Sequence, residues 1–207
     1  MEFVTDPVGI ENKSFEIIAE GLGDRYFDTQ NISIIKRVIH TTADFDYADN
    51  LVFSADVVAI AKEILKNGAR IVTDTQMARA GINKKAAEQT GCGVHCFIDA
   101  PEVIEAALAG GYTRARAAVD YAAQTLETPM VFAVGNAPTA LIRLYELISS
   151  GMFLPALIIG VPVGFVNVVE SKELILRLGV PHIVAKGRKG GSNVAAAICN
   201  ALLYATQ

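Results

Sequence analysis

Hydrophobic and polar positions follow two different periods along this chain. In stretches 15–22, 32–40 and 54–69, apolar residues recur every three or four positions, which predicts amphipathic helices. Ser54 stands where the third helix would begin and is a suitable N-cap. Later in the chain, helical stretches alternate with short runs that are apolar throughout. Such runs are typical of strands that are buried on both faces of a sheet.

The continuous apolar runs predict β-strands, which lie at 70–74, 94–98, 129–134, 156–160 and 182–186. Helices are predicted from near Pro101, from an N-cap at Thr113, from a first turn at Pro138, and over 194–204. This alternation predicts a three-layer, Rossmann-like α/β fold, with a mostly parallel sheet of about five strands and helices on both faces. Neither a linker nor a repeat interrupts the pattern, so we predict a single domain over residues 1–207.

Composition and charge exclude several classes of protein. With 52% hydrophobic and 19% charged residues, the chain is expected to fold into a compact globule. Its formal net charge of −4 argues against nucleic acid as a partner. We find no signal-peptide pattern at the start, and the longest apolar run, 153–169, contains prolines and glycines that favour a strand and a loop over a membrane span. We therefore expect no membrane partner. Three cysteines do not form a disulfide framework, so we also expect a cytoplasmic protein.

The predicted strands end in segments that suit an anionic ligand. In an open parallel sheet, ligands bind beyond the carboxyl ends of the strands. Here those ends are rich in glycine and polar residues, at 73–77, 135–139, 160–165 and 186–193. Glycine permits close approach of the backbone, and helix N-termini offer free N–H groups to anions. The alternative is that these segments are ordinary turns.

The usual nucleotide and metal motifs are not met. "GRKGGS" lacks the spacing of a Walker A loop, and "GCGVHC" fails the dinucleotide pattern because its last position is Cys96. Cys92, His95 and Cys96 lie close in sequence, but a structural zinc site needs four ligands and neighbouring strand residues point to opposite faces. The aspartates of 44–49 lack the glycine and distal glutamate of a calcium loop. We therefore predict no metal site.

His40 is the candidate for acid–base chemistry. It ends the helical stretch "ISIIKRVIH", and Arg37 lies three residues earlier, on nearly the same side of that helix. One interpretation is a structural histidine that the helix dipole favours at a C-terminus. The other is an acid–base group in an anion site, because an arginine beside a histidine suits an anion better than a core.

The motifs "KSFEII", "RVIHTTADFDYAD", "DTQMARAGIN", "YTRARAA", "VGNAPTAL", "GVPVGFVNVVESKE" and "KGRKGGSNVAAAICNAL" carry a resemblance. Together they resemble the precorrin-8 methylmutase family of vitamin B12 biosynthesis, from the first predicted helix to the last. The wording of "HTTADFDYAD" and "VHCFI" is more similar to the cobalt-precorrin-8 branch of that family than to the cobalt-free one.

The resemblance implies an isomerase that moves a methyl group from C11 to C12 of a corrin precursor. The shift is intramolecular, so it implies no cofactor, and any cobalt would arrive within the macrocycle. His40 matches the family's proton donor and acceptor, and Ser14 and Arg37 match positions that touch the substrate. The resemblance also implies a homodimer with sites near the subunit interface. Further substrate contacts are implied at Thr41, Thr42, Arg114, Gly135, Asn136, Lys186, Arg188, Lys189 and Ser192.

Two other functions stay open at this point. A tetrapyrrole-binding carrier on the same fold would keep the carboxylate-binding rim without needing His40. A Rossmann-like nucleotide-dependent enzyme would share the fold but not the corrinoid ligand.

Overall fold

The structure, a computed structural model, describes residues 5–206. The helices are α1 (Pro7–Leu22), α2 (Ile32–Thr42), α3 (Tyr47–Asn50), α4 (Val57–Lys66), α5 (Gln76–Gly81), α6 (Lys84–Gln89), α7 (Pro101–Gly110), α8 (Arg114–Thr125), α9 (Pro138–Ser149), α10 (Val168–Leu176) and α11 (Ser192–Tyr204). The strands are β1 (Leu51–Phe53), β2 (Arg70–Thr73), β3 (Gly93–His95), β4 (Met130–Val134), β5 (Leu157–Gly160) and β6 (His182–Ala185).

The strands form a mixed sheet in the order β1-β6-β5-β4-β2-β3. All neighbouring pairs are parallel except β1 and β6, where Leu51 lies opposite Ala185 in an antiparallel pair. The predicted fold, a mostly parallel sheet with helices on both faces, is confirmed. The strand that sequence reasoning missed is β1, because three residues are too few to show a period.

Side chains alternate between the two faces of the sheet, as the period of a strand requires. On β4, Val131 and Ala133 pack toward the layer of α1, α2, α4, α5, α6 and α11. Met130, Phe132 and Val134 pack toward the opposite layer of α8, α9 and α10. Burial on both faces explains why this strand is apolar throughout.

Most predicted helix starts are confirmed. The Thr113 hydroxyl accepts a hydrogen bond from the Arg116 N–H at 3.3 Å and caps α8. Pro101 and Pro138 occupy the first turns of α7 and α9, where the missing N–H of proline has no helical partner to lose.

The prediction that Ser54 caps the following helix is wrong. Helix α4 begins at Val57, and the residue before it, Asp56, has a left-handed backbone with φ 52°. The Ser54 hydroxyl instead accepts a hydrogen bond from the His182 N–H at 2.9 Å. Its side chain therefore ties the end of β1 to β6.

The apolar run 153–169 contains β5, then a loop over 161–167, and then the start of α10. The predicted order of a strand followed by a loop is confirmed. Throughout residues 5–206, none of the helices combines the length and hydrophobicity that a bilayer span needs.

The order of the strands locates a crevice. Counted in chain order, the five parallel strands run 2-1-3-4-5, which is a doubly wound arrangement. The winding direction reverses between β2 and β4, and ligands of such folds bind beyond the strand ends at that point. We call the space beyond the carboxyl ends of β2 and β4 the switch-point crevice.

Candidate active site

Helices α1 and α2 enclose an open cavity beside His40. It has a volume of about 260 Å³ and is lined by Ser14, Ile17, Ile18, Ile39, His40, Ala43 and Phe45. We call it the His40 cavity. The structure thus brings together His40 and Ser14, which lie on different helices. The His40 side chain is exposed.

Phe15 sets the orientation of the His40 ring. The two rings stack with centroids 5.2 Å apart and planes inclined by 18°. No residue within 5–206 forms a hydrogen bond with the imidazole, so both ring nitrogens remain available to a ligand. The Arg37 guanidinium lies 4.9 Å from the centre of the same Phe15 ring. The predicted placement of Arg37 and His40 on one side of α2 is confirmed by this shared neighbour.

Arg37, on α2, is held by groups from two other helices, α1 and α11. Its Nη1 donates a hydrogen bond to Glu11 Oε1 at 2.8 Å, and its guanidinium also lies 5.5 Å from the Tyr204 ring. The carboxylate that Arg37 binds in this structure is therefore one of the chain's own. A substrate carboxylate would have to compete with Glu11 for the guanidinium.

The end of α2 presents Thr41 and fixes Thr42. Thr41 is exposed, whereas the Thr42 hydroxyl donates to the Val38 carbonyl at 2.8 Å and accepts from the Asp44 N–H at 3.3 Å. Ala43 then takes a left-handed conformation and ends the helix. Of the two threonines, Thr41 has the side chain that is free to meet a ligand.

Lys189 connects this segment to the loop after β6. Its Nζ donates hydrogen bonds to Asp44 and Asp46, each at 2.6 Å. These bonds raise the pKa of Lys189 above its ordinary value, and the bond from Lys189 lowers the pKa of Asp44. The aspartates thus bind a lysine. Within the described residues, no group of three or more His, Cys, Asp or Glu side chains could hold a metal ion.

The switch-point crevice is closed by a buried carboxylate. Asp74, at the end of β2, is 7% exposed and accepts the backbone N–H groups of Gly135, Asn136 and Ala137 at 2.7–2.8 Å. Burial raises the pKa of Asp74, and the three N–H donors oppose that rise. The turn after β4 was predicted to hold a substrate carboxylate. In this structure it holds the carboxylate of Asp74, which leaves the exposed side chain of Asn136 for any ligand.

Helix α11 packs tightly against the same turn. A Cβ at Gly135 would lie 2.8 Å from the Gly191 carbonyl oxygen and 2.8 Å from Ser192 Cα, so glycine is required for this approach. The Ser192 hydroxyl is 2.7 Å from the Thr75 hydroxyl, and the two share a hydrogen bond. Ser192, a predicted substrate contact, is thus engaged inside the chain.

Arg114 lies away from the His40 cavity. It begins α8, in the helical layer on the opposite face of the sheet from α1 and α2. Its Nη1 is 3.2 Å from Asp99 Oδ1, and both side chains are about half exposed. Lys186 and Arg188 are exposed on the loop after β6. One chain therefore places the predicted cationic contacts at separate positions.

The cysteine and histidine cluster does not converge. The Cys92 thiol is buried and donates to the Leu65 carbonyl at 3.2 Å. The His95 ring stacks on Phe97, and its Nε2 has no hydrogen-bond partner among residues 5–206. Burial lowers the pKa of His95, helped by nearby arginines.

Sequence reasoning missed several residues that shape these sites. Phe15 lies within the quoted motif "KSFEII", but an aromatic residue at helical spacing usually signals core packing. Asp74 was read as the last residue of a strand. Lys172 received no prediction, although it lies within the motif "GVPVGFVNVVESKE"; it is 1% exposed, and its Nζ donates hydrogen bonds to the loop after β6.

The doubly wound sheet places this chain among three-layer α/β proteins, here with an exposed histidine in a cavity and a cationic loop beyond the strand ends. The sequence profile of the precorrin-8X methylmutase family, CbiC, matches residues 9–205. The cobalt-precorrin-8 methylmutase of Salmonella typhimurium is 46% identical over 99% of this chain and 98% of its own. That of Methanocaldococcus jannaschii is 41% identical over 96% of this chain and 93% of its own.

A solved structure agrees with these relatives. The precorrin-8x methyl mutase from Thermus thermophilus superimposes with a TM-score of 0.88 at 38% identity, covering 96% of this chain and 97% of the other. This chain therefore belongs to the precorrin-8X methylmutase family. The resemblance of its motifs to that family is confirmed, and the chain is a methylmutase, which is an isomerase.

Proposed function

We propose that this chain moves a methyl group from C11 to C12 of cobalt-precorrin-8 in vitamin B12 biosynthesis, giving a cobyrinic acid framework. The observation that carries the proposal is the exposed His40 ring, stacked on Phe15 in a cavity that Ser14 also lines. Relatives that are 46% and 41% identical are cobalt-precorrin-8 methylmutases, which favours the cobalt-containing substrate.

His40 acts in this proposal as proton donor and acceptor. A methyl group migrates poorly across an electron-rich conjugated ring, so protonation of the macrocycle near the migration site lowers the barrier. Loss of a proton after the shift restores neutrality, and His40 takes it back without net consumption. Imidazole suits both steps because histidine side chains commonly change charge near neutral pH. The stack on Phe15 supports this role, since it holds the ring plane while leaving both nitrogens open.

Carboxylate side arms of the substrate would bind to the cations around the cavity. Arg37 exchanges Glu11 for a substrate carboxylate, and Thr41 offers an exposed hydroxyl next to His40. The Ser14 hydroxyl donates to the Ile10 carbonyl at 2.8 Å and would exchange that bond for one to the substrate. The loop after β6 supplies further charge-assisted hydrogen bonds from Lys186 and Arg188.

The proposal includes a homodimer with sites near the interface. The apolar side chains of Val8, Ile10 and Ile17 on α1 are 46–68% exposed, and Ile17 also lines the His40 cavity. A second copy would cover them. It would also allow Arg114, which is remote from His40 within one chain, to serve the site of its partner. Sedimentation of the purified protein tests this: a monomer would contradict it.

The proposed reaction needs no resident cofactor, because the methyl group moves within the substrate and no separate methyl donor takes part. Cobalt is part of the substrate in this scheme. The three cysteines are free thiols, which supports a reducing compartment such as the cytoplasm.

The direct test is incubation of the purified protein with cobalt-precorrin-8 and, separately, with its metal-free counterpart. We expect a product of unchanged mass, a shifted absorption spectrum and a carbon resonance that places the methyl group on C12. Tight binding without any change of spectrum would contradict the proposal and favour a tetrapyrrole carrier. Stabilisation by dinucleotides in a thermal-shift screen would favour a nucleotide-dependent enzyme instead.

A further inference from the structure

The loop of residues 186–191, which follows β6, is anchored by a buried cation. Lys172 on α10 is 1% exposed, and its Nζ donates hydrogen bonds to the carbonyl oxygens of Gly187 and Lys189, both at 2.8 Å. Burial lowers the pKa of Lys172 to about 8. Burial disfavours the charged form of a lysine, whereas a neutral side chain carries no such cost. The cation is therefore kept here against an electrostatic penalty.

The same loop is held from a second side. The Arg188 carbonyl oxygen accepts a hydrogen bond from the Gly164 N–H at 3.1 Å, and the Gly191 N–H donates to the Val161 carbonyl at 2.9 Å. A Cβ at Gly190 would clash with that Val161 oxygen, so only glycine permits the approach. The backbone conformation of the loop is therefore set by several contacts at once.

These contacts decide where the N–H groups point. In a planar trans peptide unit, the carbonyl and the following N–H point in opposite directions. Because the carbonyls of Gly187 and Lys189 meet Lys172, the N–H groups of Arg188 and Gly190 point away from it. Within the part of the chain that the structure describes, the N–H groups of residues 187–190 have no acceptor. Unpaired N–H groups beside lysine and arginine side chains form a site suited to an anion.

We propose that Lys172 is a positioning residue that fixes loop 186–191 so that its N–H groups and cations meet a carboxylate side arm of the substrate. The identity of that anion rests on the proposed function. The role of Lys172 in ordering the loop does not, and the two can be tested apart.

The first experiment measures the order of the loop without any substrate. Trypsin cleaves after Lys186 or Arg188 only when the loop opens, whereas cleavage after Arg70, in β2, reports global unfolding. In Lys172→Met we expect cleavage within the loop to become about tenfold faster, with cleavage after Arg70 unchanged. Lys66→Met, at an exposed lysine near the end of α4, is the matched control and should behave as the wild type.

The second experiment separates binding from chemistry. In Lys172→Met the KM for cobalt-precorrin-8 should rise about tenfold while kcat stays within about twofold, because a lost carboxylate contact weakens binding without touching His40. Lys172→Arg keeps a cation with several N–H donors and should restore part of the affinity. A lysine that only supports the fold would not give this split.

Each outcome decides the inference. Wild-type cleavage of the loop together with wild-type KM in folded Lys172→Met overturns it, and so does an equal rise of cleavage at the loop and at Arg70. If Lys172→Met does not fold, Lys172→Gln, which is shorter and neutral, is put through the same two measurements and read by the same criteria. If the wild type shows no turnover, the proposed function fails, while the trypsin result still decides the role of Lys172.

Discussion

The switch-point crevice and the His40 cavity differ in whether their polar groups find hydrogen-bond partners within the chain. In the crevice, Asp74 accepts three backbone N–H groups and Ser192 shares a hydrogen bond with Thr75. In the cavity, the His40 ring is exposed and has a stacking neighbour but no hydrogen-bond partner among residues 5–206. The crevice satisfies its own groups, whereas in the cavity the Ser14 hydroxyl donates to the Ile10 carbonyl at 2.8 Å and the imidazole of His40 is left for a ligand.

This difference bears on where the proposed chemistry takes place. A doubly wound sheet usually binds its ligand at the switch point. Here the carboxylate of Asp74 takes that place and joins β2 to the turn after β4. The proposed acid–base group, His40, lies instead in a cavity between two helices that pack over one face of the sheet. We therefore expect substitutions in the cavity to change turnover and those in the crevice to change stability.

The largest effect is expected for His40→Ala. General acid–base catalysis contributes roughly 10²–10⁴-fold, so turnover should fall by about that factor. Affinity for the corrinoid should change little, because carboxylate contacts hold it elsewhere. The measurements are kcat and thermal unfolding, with Ser33→Ala on the exposed side of the same helix as control. A variant that is folded and turns over like the wild type would remove His40 from the mechanism.

A change of similar size is expected for Asp74→Ala, but in the free energy of unfolding and not in the activation free energy of turnover. The substitution leaves the N–H groups of residues 135–137 without their acceptor, which typically destabilises by on the order of 3–5 kcal/mol for a buried network. Urea unfolding measures the loss, and Asp49→Ala, at an exposed ion pair with Arg25, is the control. If Asp74→Ala is stable and instead loses turnover selectively, the crevice is part of the catalytic site and our comparison is wrong.

An intermediate effect is expected on the free energy of unfolding as pH rises, because Lys172 titrates. Its pKa is lowered to about 8 by burial, from an ordinary 10.5. Between these values the unfolded chain binds more protons than the folded one, so stability rises with pH in that window. At about 1.4 kcal/mol for each pH unit, the gain reaches up to about 3 kcal/mol.

The measurement for this prediction is the free energy of unfolding from pH 7 to pH 10.5, in the wild type and in Lys172→Met. Groups other than Lys172 titrate in both proteins, so the difference between the two curves of unfolding free energy isolates the contribution of Lys172. Parallel curves would mean that Lys172 keeps an ordinary pKa in the folded state.

The smallest effect is expected for Glu11→Gln. The Glu11 carboxylate binds Arg37 at 2.8 Å, but both side chains are partly exposed, so the ion pair is worth roughly 0–1 kcal/mol. Freeing Arg37 should lower KM by up to about fivefold with kcat unchanged. A raised KM would show that Glu11 helps to bind the substrate and does not compete with it.

The sequence could predict what depends on local periods. Helical spacing placed Arg37 beside His40, and continuous apolar runs located the parallel strands. The capping of α8 by Thr113 followed from its neighbours in sequence.

What depends on distant contacts was out of reach. The bond from Gly135 to Asp74 spans 61 positions, and the bond from Lys172 to Gly187 joins a helix to a later loop. Neither pair leaves a signal in its own neighbourhood, because an aspartate after a strand and a lysine on a helix are usually solvated. Strand β1 escaped for the same reason, since its pairing with β6 decides its conformation.

The two edges of the sheet bear on how copies of this chain can assemble. Both edge strands, β1 and β3, are only three residues long, and β1 is antiparallel to its neighbour β6. Short edges offer few free backbone groups to an approaching strand, so they resist uncontrolled edge-to-edge aggregation. They also leave little template for a sheet that continues from one subunit into the next. A pairing of subunits is therefore expected to use other surfaces, such as the exposed apolar side chains of α1 or of the loop 161–167.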